Sequence, residues 1–169
     1  IGDQVWNDYD LDATPDTGEP GIDGVILNLY DQQCLNVTQA TTPISTTTTA
    51  GGGLYSFPNL LAGDYCVWVM PSNFNPGGAL EGMAYTADNF IAPEKRDVAL
   101  SSGEQFTDAD FGYTDTSVTL TKTVSDNGQC PGVDSLTIVG PGTVTYCYDA
   151  ENTGHTYLIN LTLNDDQLG

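Results

Sequence analysis

The sequence predicts an all-β protein built from two tandem β-sandwiches. Strand-forming residues such as Thr, Val and Tyr are plentiful, whereas the good helix formers Ala, Leu, Glu, Lys and Arg are sparse. Short apolar runs alternate with Gly, Pro, Asn and Asp at regular intervals, as in sandwich domains. Hydrophobic residues make up 39% of the 169 residues, which is enough to form a packed core.

The first predicted domain covers residues 1–114. Three glycines at 51–53 separate two strand candidates and predict a hairpin between them. The run 65–70 (YCVWVM) is almost wholly apolar, which indicates a buried sandwich strand. In chain order the strand candidates are 4–6, 24–30, 46–50, 54–57, 65–70, 85–90, 96–100 and 106–113.

The second predicted domain covers residues 115–169 and looks incomplete. The period-two pattern restarts at 117–124, and further strand candidates follow at 135–139, 143–148 and 156–163. An Ig-like sandwich needs about seven strands in about 100 residues. Either this chain is truncated, which is the favoured explanation, or a neighbouring repeat or protomer donates the missing strands. Because the chain begins at Ile1, we expect a mature or internal piece of a longer protein.

The charge balance excludes two classes of partner. The chain has 3 Lys and Arg against 23 Asp and Glu, a formal net charge of −20. Nucleic-acid binding needs basic residues in number, and anionic membranes repel acidic surfaces. The apolar runs are also far shorter than the about 20 residues that span a bilayer. The sequence therefore predicts neither a nucleic acid nor a membrane as partner.

Four cysteines in this all-β chain predict an oxidising, extracellular setting. They allow three pairings, and we favour Cys34 with Cys66 and Cys130 with Cys147 because each bond then stays within one domain. A zinc site with His155 is the rejected alternative, since the chain has no Cys-x-x-Cys motif.

Residues 8–19 (DYDLDATPDTGE) have the spacing of a calcium-binding loop. If Asp8 is position one, oxygen-bearing side chains fall at positions one, three, five, seven, nine and twelve, as in the EF-hand loop. The predicted ligands are Asp8, Asp10, Asp12, Thr14 through its backbone carbonyl, Asp16 and Glu19. Position six is Ala13, where a sharp turn usually places glycine. The flanks are predicted strands, so the loop would lack the EF-hand helices. An acidic, solvated turn is the alternative.

Several motifs in order resemble the SdrD B-like repeat of bacterial surface proteins. The opening residues 1–8 (IGDQVWND) and 18–25 (GEPGIDGV) match its start. The stretches 53–60 (GLYSFPNL) and 62–67 (AGDYCV) match its central signature, and 108–113 (DADFGY) looks like its closing strand. The resemblance covers residues 1–113. Residues 117–169 more weakly resemble the tandem Ig-like repeats of exported proteins.

The resemblance implies a prealbumin-like β-sandwich, rigidified by calcium, that serves as a stalk or spacer module of an adhesin or filament-forming protein outside the cell. Asp8, Asp10, Asp12, Asp16 and Glu19 map onto the acidic loop of the family. Because family members can bind further calcium, the resemblance also implies second-tier metal ligands, and these are Asp3, Asp88, Asp108 and Asp110.

One alternative to this structural role stays open at the level of sequence. A ligand- or carbohydrate-binding module would use the loop 72–83 (SNFNPGGALEGM) or an aromatic platform. An enzyme is not predicted, because no nucleophile has a plausible base beyond His155. Lys122 is interpreted as an exposed strand lysine, and the alternative is an amide bond to Asn152, Asn160 or Asp165.

Overall fold

The computed structural model describes residues 1–86, 94–156, 158 and 160–166. The chain divides into two compact units, Ile1–Asp115 and Thr116–Gly169. The all-β prediction is confirmed, because the described residues form ten strands and only two short 3-10 helices, Cys34–Asn36 and Pro71–Phe74. Within those residues no helix has the length and apolar character to cross a bilayer.

The first unit contains two four-stranded sheets. Its strands are β1 (Gly2–Asn7), β2 (Ile26–Tyr30), β3 (Ser45–Thr48), β4 (Leu54–Ser56), β5 (Gly63–Val69), β6 (Met83–Tyr85), β7 (Lys95–Leu100) and β8 (Phe111–Asp115). One sheet has the order β4-β1-β8-β6 and the other β3-β2-β5-β7. Neighbouring strands are antiparallel except β1 and β8, which pair in parallel.

The main core of the first unit is formed by alternate residues of the two sheets. Leu27 and Leu29 of β2 are fully buried, as are Val5 of β1 and Phe111 of β8. This spacing of two follows from the strand period, which sends successive side chains to opposite faces. The core therefore ties β1, the strand that enters the acidic loop, to the rest of the sandwich.

A second apolar cluster explains why the run 65–70 is apolar on both faces. Cys66 and Trp68 of β5 lie outside the main core and pack with Tyr30, Cys34 and Val37. The 3-10 helix Cys34–Asn36 thus covers the outer face of the second sheet, and a strand buried on both faces does not alternate. The predicted Cys34–Cys66 disulfide is confirmed and joins this cover to β5.

The predicted hairpin across Gly51–Gly53 forms only at its tip, where Ala50 and Leu54 make one antiparallel bridge. Beyond that bridge the prediction is wrong, because the two flanking strands belong to different sheets. β3 pairs with β2, and β4 pairs with β1. The turn between them is held by Asp23, whose carboxylate accepts the N–H groups of Gly51, Gly52 and Gly53 at 3.1, 2.9 and 2.6 Å. All three glycines have positive φ (70°, 95° and 76°), a backbone conformation that glycine adopts without the strain a Cβ would cause.

Several strand boundaries also differ from the prediction. The strand predicted over 24–30 begins at Ile26, and the one predicted over 106–113 begins at Phe111. Residues 106–110 are irregular, although Gly2 still donates its N–H to the Phe106 carbonyl. The candidate 85–90 coincides with β6 only at Tyr85, and its residues 87–90 lie outside the described residues.

The second unit contains a two-stranded antiparallel sheet, β9 (Val118–Ser125) with β10 (Thr145–Asn152). The predicted Cys130–Cys147 disulfide is confirmed. The strand predicted at 135–139 is wrong, and in 156–163 the described residues 160–163 are not a strand either. The reason is a lack of burial: Ile138 and Val139 are 47% and 99% exposed, and strand propensity without a packed face does not hold a strand.

Candidate metal centre

The acidic loop leaves the end of β1 and is closed at both ends by backbone hydrogen bonds. Asp8 donates its N–H to the Tyr113 carbonyl of β8 at 2.8 Å, and Asn7 donates to the Pro20 carbonyl at 2.9 Å. Because β1 and β8 are central strands of one sheet, the first predicted ligand sits on a rigid element. As predicted, the loop connects strands and has no flanking helices.

Inside the loop the backbone winds around its own carboxylates. Asp10 Oδ1 accepts the Asp12 N–H at 3.3 Å, and Asp12 Oδ1 accepts the Thr14 N–H at 2.8 Å. Leu11 and Ala13 have φ of 65° and 63°, a left-handed conformation that costs a residue with a Cβ about 1–2 kcal/mol. Ala13 thus adopts the sharp turn that the spacing requires, even though it is not glycine.

Glu19 closes the loop with both of its carboxylate oxygens. The Tyr9 N–H donates to Oε1 at 2.7 Å, and the Asp16 N–H donates to Oε2 at 3.1 Å. The Glu19 N–H returns to the Asp16 carbonyl at 3.1 Å. The last predicted ligand is therefore held beside the first ones, although 11 positions separate Glu19 from Asp8 in the sequence.

The loop gathers its carboxylates into two overlapping groups. Oxygens of Asp8, Asp10 and Glu19 all lie within 4.8 Å of one another, and so do oxygens of Asp10, Asp12 and Asp16. Asp10 belongs to both groups. Five of the six predicted ligands are therefore close enough to share one cation or two neighbouring ones. Thr14 is exposed, and the role predicted for its carbonyl stays a prediction.

Asp8 is the residue whose surroundings best test whether a cation fits. Its side chain is fully buried, and Oδ2 accepts the Ala13 N–H at 3.1 Å. The other oxygen, Oδ1, is buried and has no hydrogen-bond partner among the described residues. A buried polar atom without a hydrogen-bond partner costs about 1–3 kcal/mol of folding free energy, and a charged one costs more. A divalent cation between Asp8, Asp10 and Glu19 would satisfy it.

The electrostatics of the loop point the same way. The pKa of Asp10 is raised, first by desolvation and then by the negative charge of Asp12, with Glu19 and Asp8 adding to it. These like charges repel one another at neutral pH. A bound cation reverses the sign of the local field and favours the ionised carboxylates.

The second-tier candidates form a looser group. Asp110 is half-buried and its Oδ1 accepts the Gln4 N–H at 3.1 Å, whereas Asp3 and Asp108 are exposed. Among the described residues, groups of three ligand atoms within 4.8 Å occur in the acidic loop and not among these three residues. Asp88 lies outside the described residues.

Asp110 carries a pH dependence that can be measured. Desolvation, and then the charges of Asp3 and Asp108, raise its pKa from 3.8 to about 6 against the opposing Gln4 hydrogen bond. A carboxyl whose pKa is higher in the folded state destabilises the fold as pH rises from about 4 to above 6. In chelator, we expect Asp110→Asn to stabilise the first unit at pH 7.5 by about 1–2 kcal/mol, allowing for partial exposure.

The same substitution should have no effect at about pH 4, where the unfolded chain also begins to bind the proton. The asparagine keeps an oxygen that can accept the Gln4 N–H, so the hydrogen bond is matched. Urea unfolding at the two pH values measures the difference. An equal stability change at both would contradict the proposed titration.

Two features of this region had no clear signal in the sequence. Nothing in the sequence distinguishes Asp23 from the other acidic residues, but its carboxylate caps the glycine turn. The hydrogen bond from the Gly53 N–H is the main reason that the pKa of Asp23 is lowered. The burial of Asp8 depends on β8, which is more than 100 positions away in the chain. An Asp directly after an apolar strand was the only available hint.

The alternative binding loop 72–83 is built into the sandwich. Asn73 is buried, its Oδ1 accepts the Ile26 N–H at 2.9 Å, and its Nδ2 donates to the Ile26 carbonyl at 2.9 Å. Phe74 packs against Tyr113, and Leu80 is fully buried. Trp6 and Trp68 are buried too, at 1% and 6% exposure. These aromatic residues therefore do not form an exposed sugar-binding platform.

Comparison with known proteins identifies the family. Residues 1–113 match the model of the SdrD B-like domain. Serine-aspartate repeat-containing protein F of Staphylococcus epidermidis is 37% identical over 90 residues, which is 53% of this chain and 5% of that protein. Serine-aspartate repeat-containing protein I of Staphylococcus saprophyticus is 43% identical over 67 residues, 40% of this chain and 3% of that protein.

The Bone sialoprotein-binding protein of Staphylococcus aureus is 32% identical over 111 residues, 65% of this chain and 8% of that protein. The chain thus corresponds to less than a tenth of the length of each of these relatives. The matched region contains both sheets of the first unit and the acidic loop. Through residues 1–113, the chain belongs to the SdrD B-like domain family.

Proposed function

We propose that the first unit is a calcium-binding structural module of a cell-surface or secreted, adhesin-like protein. The observation that carries this proposal is Asp8 Oδ1, a buried carboxylate oxygen without a hydrogen-bond partner among the described residues. It lies in the group formed with Asp10 and Glu19. The family match and the names of the relatives support the setting at the cell surface.

Calcium is the cation that this donor set favours. The loop offers only oxygen ligands, mostly carboxylates, and Ca²⁺ takes 6–8 oxygens at about 2.3–2.6 Å in flexible geometry. Mg²⁺ demands a near-ideal octahedron and keeps several of its waters. The described parts of the loop contain no His or Cys, the softer ligands that zinc favours.

The proposed role of the ion is mechanical. The loop is anchored through Asp8 to β8 and through Asn7 and Pro20 to the end of β1. A cation bound by Asp8, Asp10 and Glu19 would join the start of the loop to its end. It would also reduce the self-repulsion of a chain with a net charge of −20. A module stiffened in this way suits a stalk or spacer.

The second unit is proposed to work with neighbouring repeats or protomers. Within its described residues the regular sheet has only β9 and β10. Val118 and Leu120 of β9 and Tyr146 of β10 are 45%, 52% and 40% exposed. Added strands would cover such side chains, and strand donation by a neighbour stays a prediction.

Calcium titration of the full chain, followed by calorimetry, tests the proposed site. We expect saturable binding that Asp10→Asn weakens by at least about tenfold, because Asp10 belongs to both carboxylate groups. The asparagine keeps an acceptor for the Asp12 N–H. The control is Asp31→Asn, an exposed carboxylate outside the loop, which should bind like the wild type. Absence of binding by the wild type, or equal binding by Asp10→Asn, would refute the site.

A further inference from the structure

Thr114 of β8 has a buried hydroxyl that the fold itself does not satisfy. The residue is 2% exposed, and its Oγ1 has no hydrogen-bond partner among the described residues. Most buried side-chain polar atoms in native proteins have at least one partner. The Thr114 hydroxyl therefore resembles Asp8 Oδ1, which is buried and lacks a partner within the same described part of the chain.

The strand register places Thr114 beside Asp8. β1 and β8 pair in parallel, with Asn7 opposite Tyr113. The Asp8 N–H continues this ladder by donating to the Tyr113 carbonyl at 2.8 Å, so Asp8 and Thr114 are the next pair along the two strands. Paired residues of neighbouring strands project from the same face of a sheet.

The preceding pair of the same register supports this placement. A Cβ added at Gly112 would lie 2.9 Å from the Trp6 ring, so the Trp6 side chain and position 112 share one face. Asp8 and Thr114 stand two residues further along each strand, and the period of two returns their side chains to that face. The two side chains are thus neighbours, yet no hydrogen bond joins the Thr114 hydroxyl to the Asp8 carboxylate.

We propose that the Thr114 hydroxyl is a further ligand of the cation bound by Asp8, Asp10 and Glu19. This inference rests on the calcium site proposed above. Ca²⁺ takes about 6–8 oxygens, more than the three carboxylate groups supply with one oxygen each. A threonine oxygen can give a lone pair to the ion while its O–H donates to a carboxylate, so one ion would satisfy both unpartnered oxygens.

A ligand on β8 changes what the ion holds together. The other ligands of the site all lie in the loop 8–19, which follows the first strand, β1. Thr114 lies in β8, the strand that ends the first unit at Asp115. An ion bound to Asp8 and Thr114 would cross-link these two parallel strands. A pull on the two ends of the unit slides the strands past each other, and the ion would resist that motion.

Two substitutions of Thr114 in the full chain test the proposal, by calcium titration in the calorimeter and by urea unfolding in chelator. Thr114→Val keeps the branched shape but has no oxygen, so it should bind calcium at least about tenfold more weakly than the wild type. In chelator it should be as stable as the wild type or more stable, because it no longer buries an unpartnered hydroxyl. Thr114→Ser keeps the oxygen and should keep the calcium affinity, although the lost methyl lowers its stability in chelator.

Thr86→Val is the matched control. Thr86 Oγ1 is also buried without a partner among the described residues, and it would lie 2.6 Å from a Cβ added at Gly112, so it shares the face of Thr114. Thr86 donates its N–H to the Gly112 carbonyl and therefore stands beside Gly112, not beside Asp8. Its substitution should leave the calcium affinity unchanged.

The possible failures can be told apart. Equal calcium affinity of Thr114→Val and the wild type would overturn the ligand role, and a buried water would then account for the Thr114 hydroxyl. If Asp10→Asn weakened binding in the same series, the calcium site itself would stand. A loss of affinity shared by Thr114→Ser or Thr86→Val would also overturn the ligand role, since packing of the face would explain it. A wild-type chain that binds no calcium would overturn the site and the inference together.

Discussion

Asp8→Asn is expected to change the stability of the first unit in opposite directions with and without calcium. In excess calcium the variant should unfold at a midpoint about 10 °C below that of the wild type. A ligand at a hundredfold excess over its Kd contributes about 2.7 kcal/mol to the folded state, and for a unit of this size that corresponds to about 10 °C. The variant loses this contribution because an amide is a poorer calcium ligand than a carboxylate.

In chelator the sign should reverse. The wild type then keeps a buried Asp8 oxygen without a partner among the described residues, next to the carboxylates of Asp10 and Glu19. Asparagine removes that buried charge and retains an acceptor for the Ala13 N–H. The variant should therefore melt at or above the temperature of the wild type.

Tryptophan fluorescence measures this effect on the first unit alone, because both tryptophans, Trp6 and Trp68, lie there. Asp31→Asn should respond to calcium and chelator as the wild type does, since its exposed carboxylate lies outside the loop. A wild-type midpoint that does not move on chelation would be incompatible with a structural calcium ion.

Removal of the Cys34–Cys66 disulfide should cost about 3–4 kcal/mol of unfolding free energy. The two cysteines are 32 positions apart, and the chain-entropy relation gives about this value for a loop of that length. The bond also attaches the 3-10 helix Cys34–Asn36 to the outer face of β5. Its loss would release the cover over Trp68, so the Trp fluorescence of the folded state should change as well.

The paired substitution Cys34→Ala/Cys66→Ala, followed by urea unfolding, measures this cost. Cys130→Ala/Cys147→Ala is the matched control, since it removes a disulfide of the second unit, where the chain has no tryptophan. The control should leave the fluorescence transition in place. If both double variants had the wild-type midpoint, the disulfide would not contribute to the stability of the first unit.

The sequence predicted strands best where the apolar pattern was strong. The runs around Val5, Leu27 and Val67 became β1, β2 and β5, because an alternating or wholly apolar run is stable only when buried in a sheet. The run 135–139 is rich in strand formers as well, but Val139 is 99% exposed. Local propensity could not reveal that residues 135–139 have no neighbouring strand to pair with among the described residues.

The glycine turn shows a second limit of sequence patterns. A glycine run between two strand candidates is typical of a hairpin. The local pattern contains no sign that the strands on either side of Gly51–Gly53 join different sheets. The deciding contact is the carboxylate of Asp23, which accepts the three glycine N–H groups from 28 to 30 positions away. Such a partner is invisible to a rule that considers only neighbouring residues.

The sequence by itself determined the all-β class, the family and the loop that contains the acidic residues, and it favoured one of three cysteine pairings, which the structure confirms. These properties follow from composition, short motifs and spacing, which are local. Only the tertiary structure decided which sheet each strand joins, that Asp8 is buried with one oxygen free of hydrogen bonds from the described residues, and that Lys122 meets Asp165. Burial and contact depend on segments that are far apart in the chain, and only packing brings those segments together.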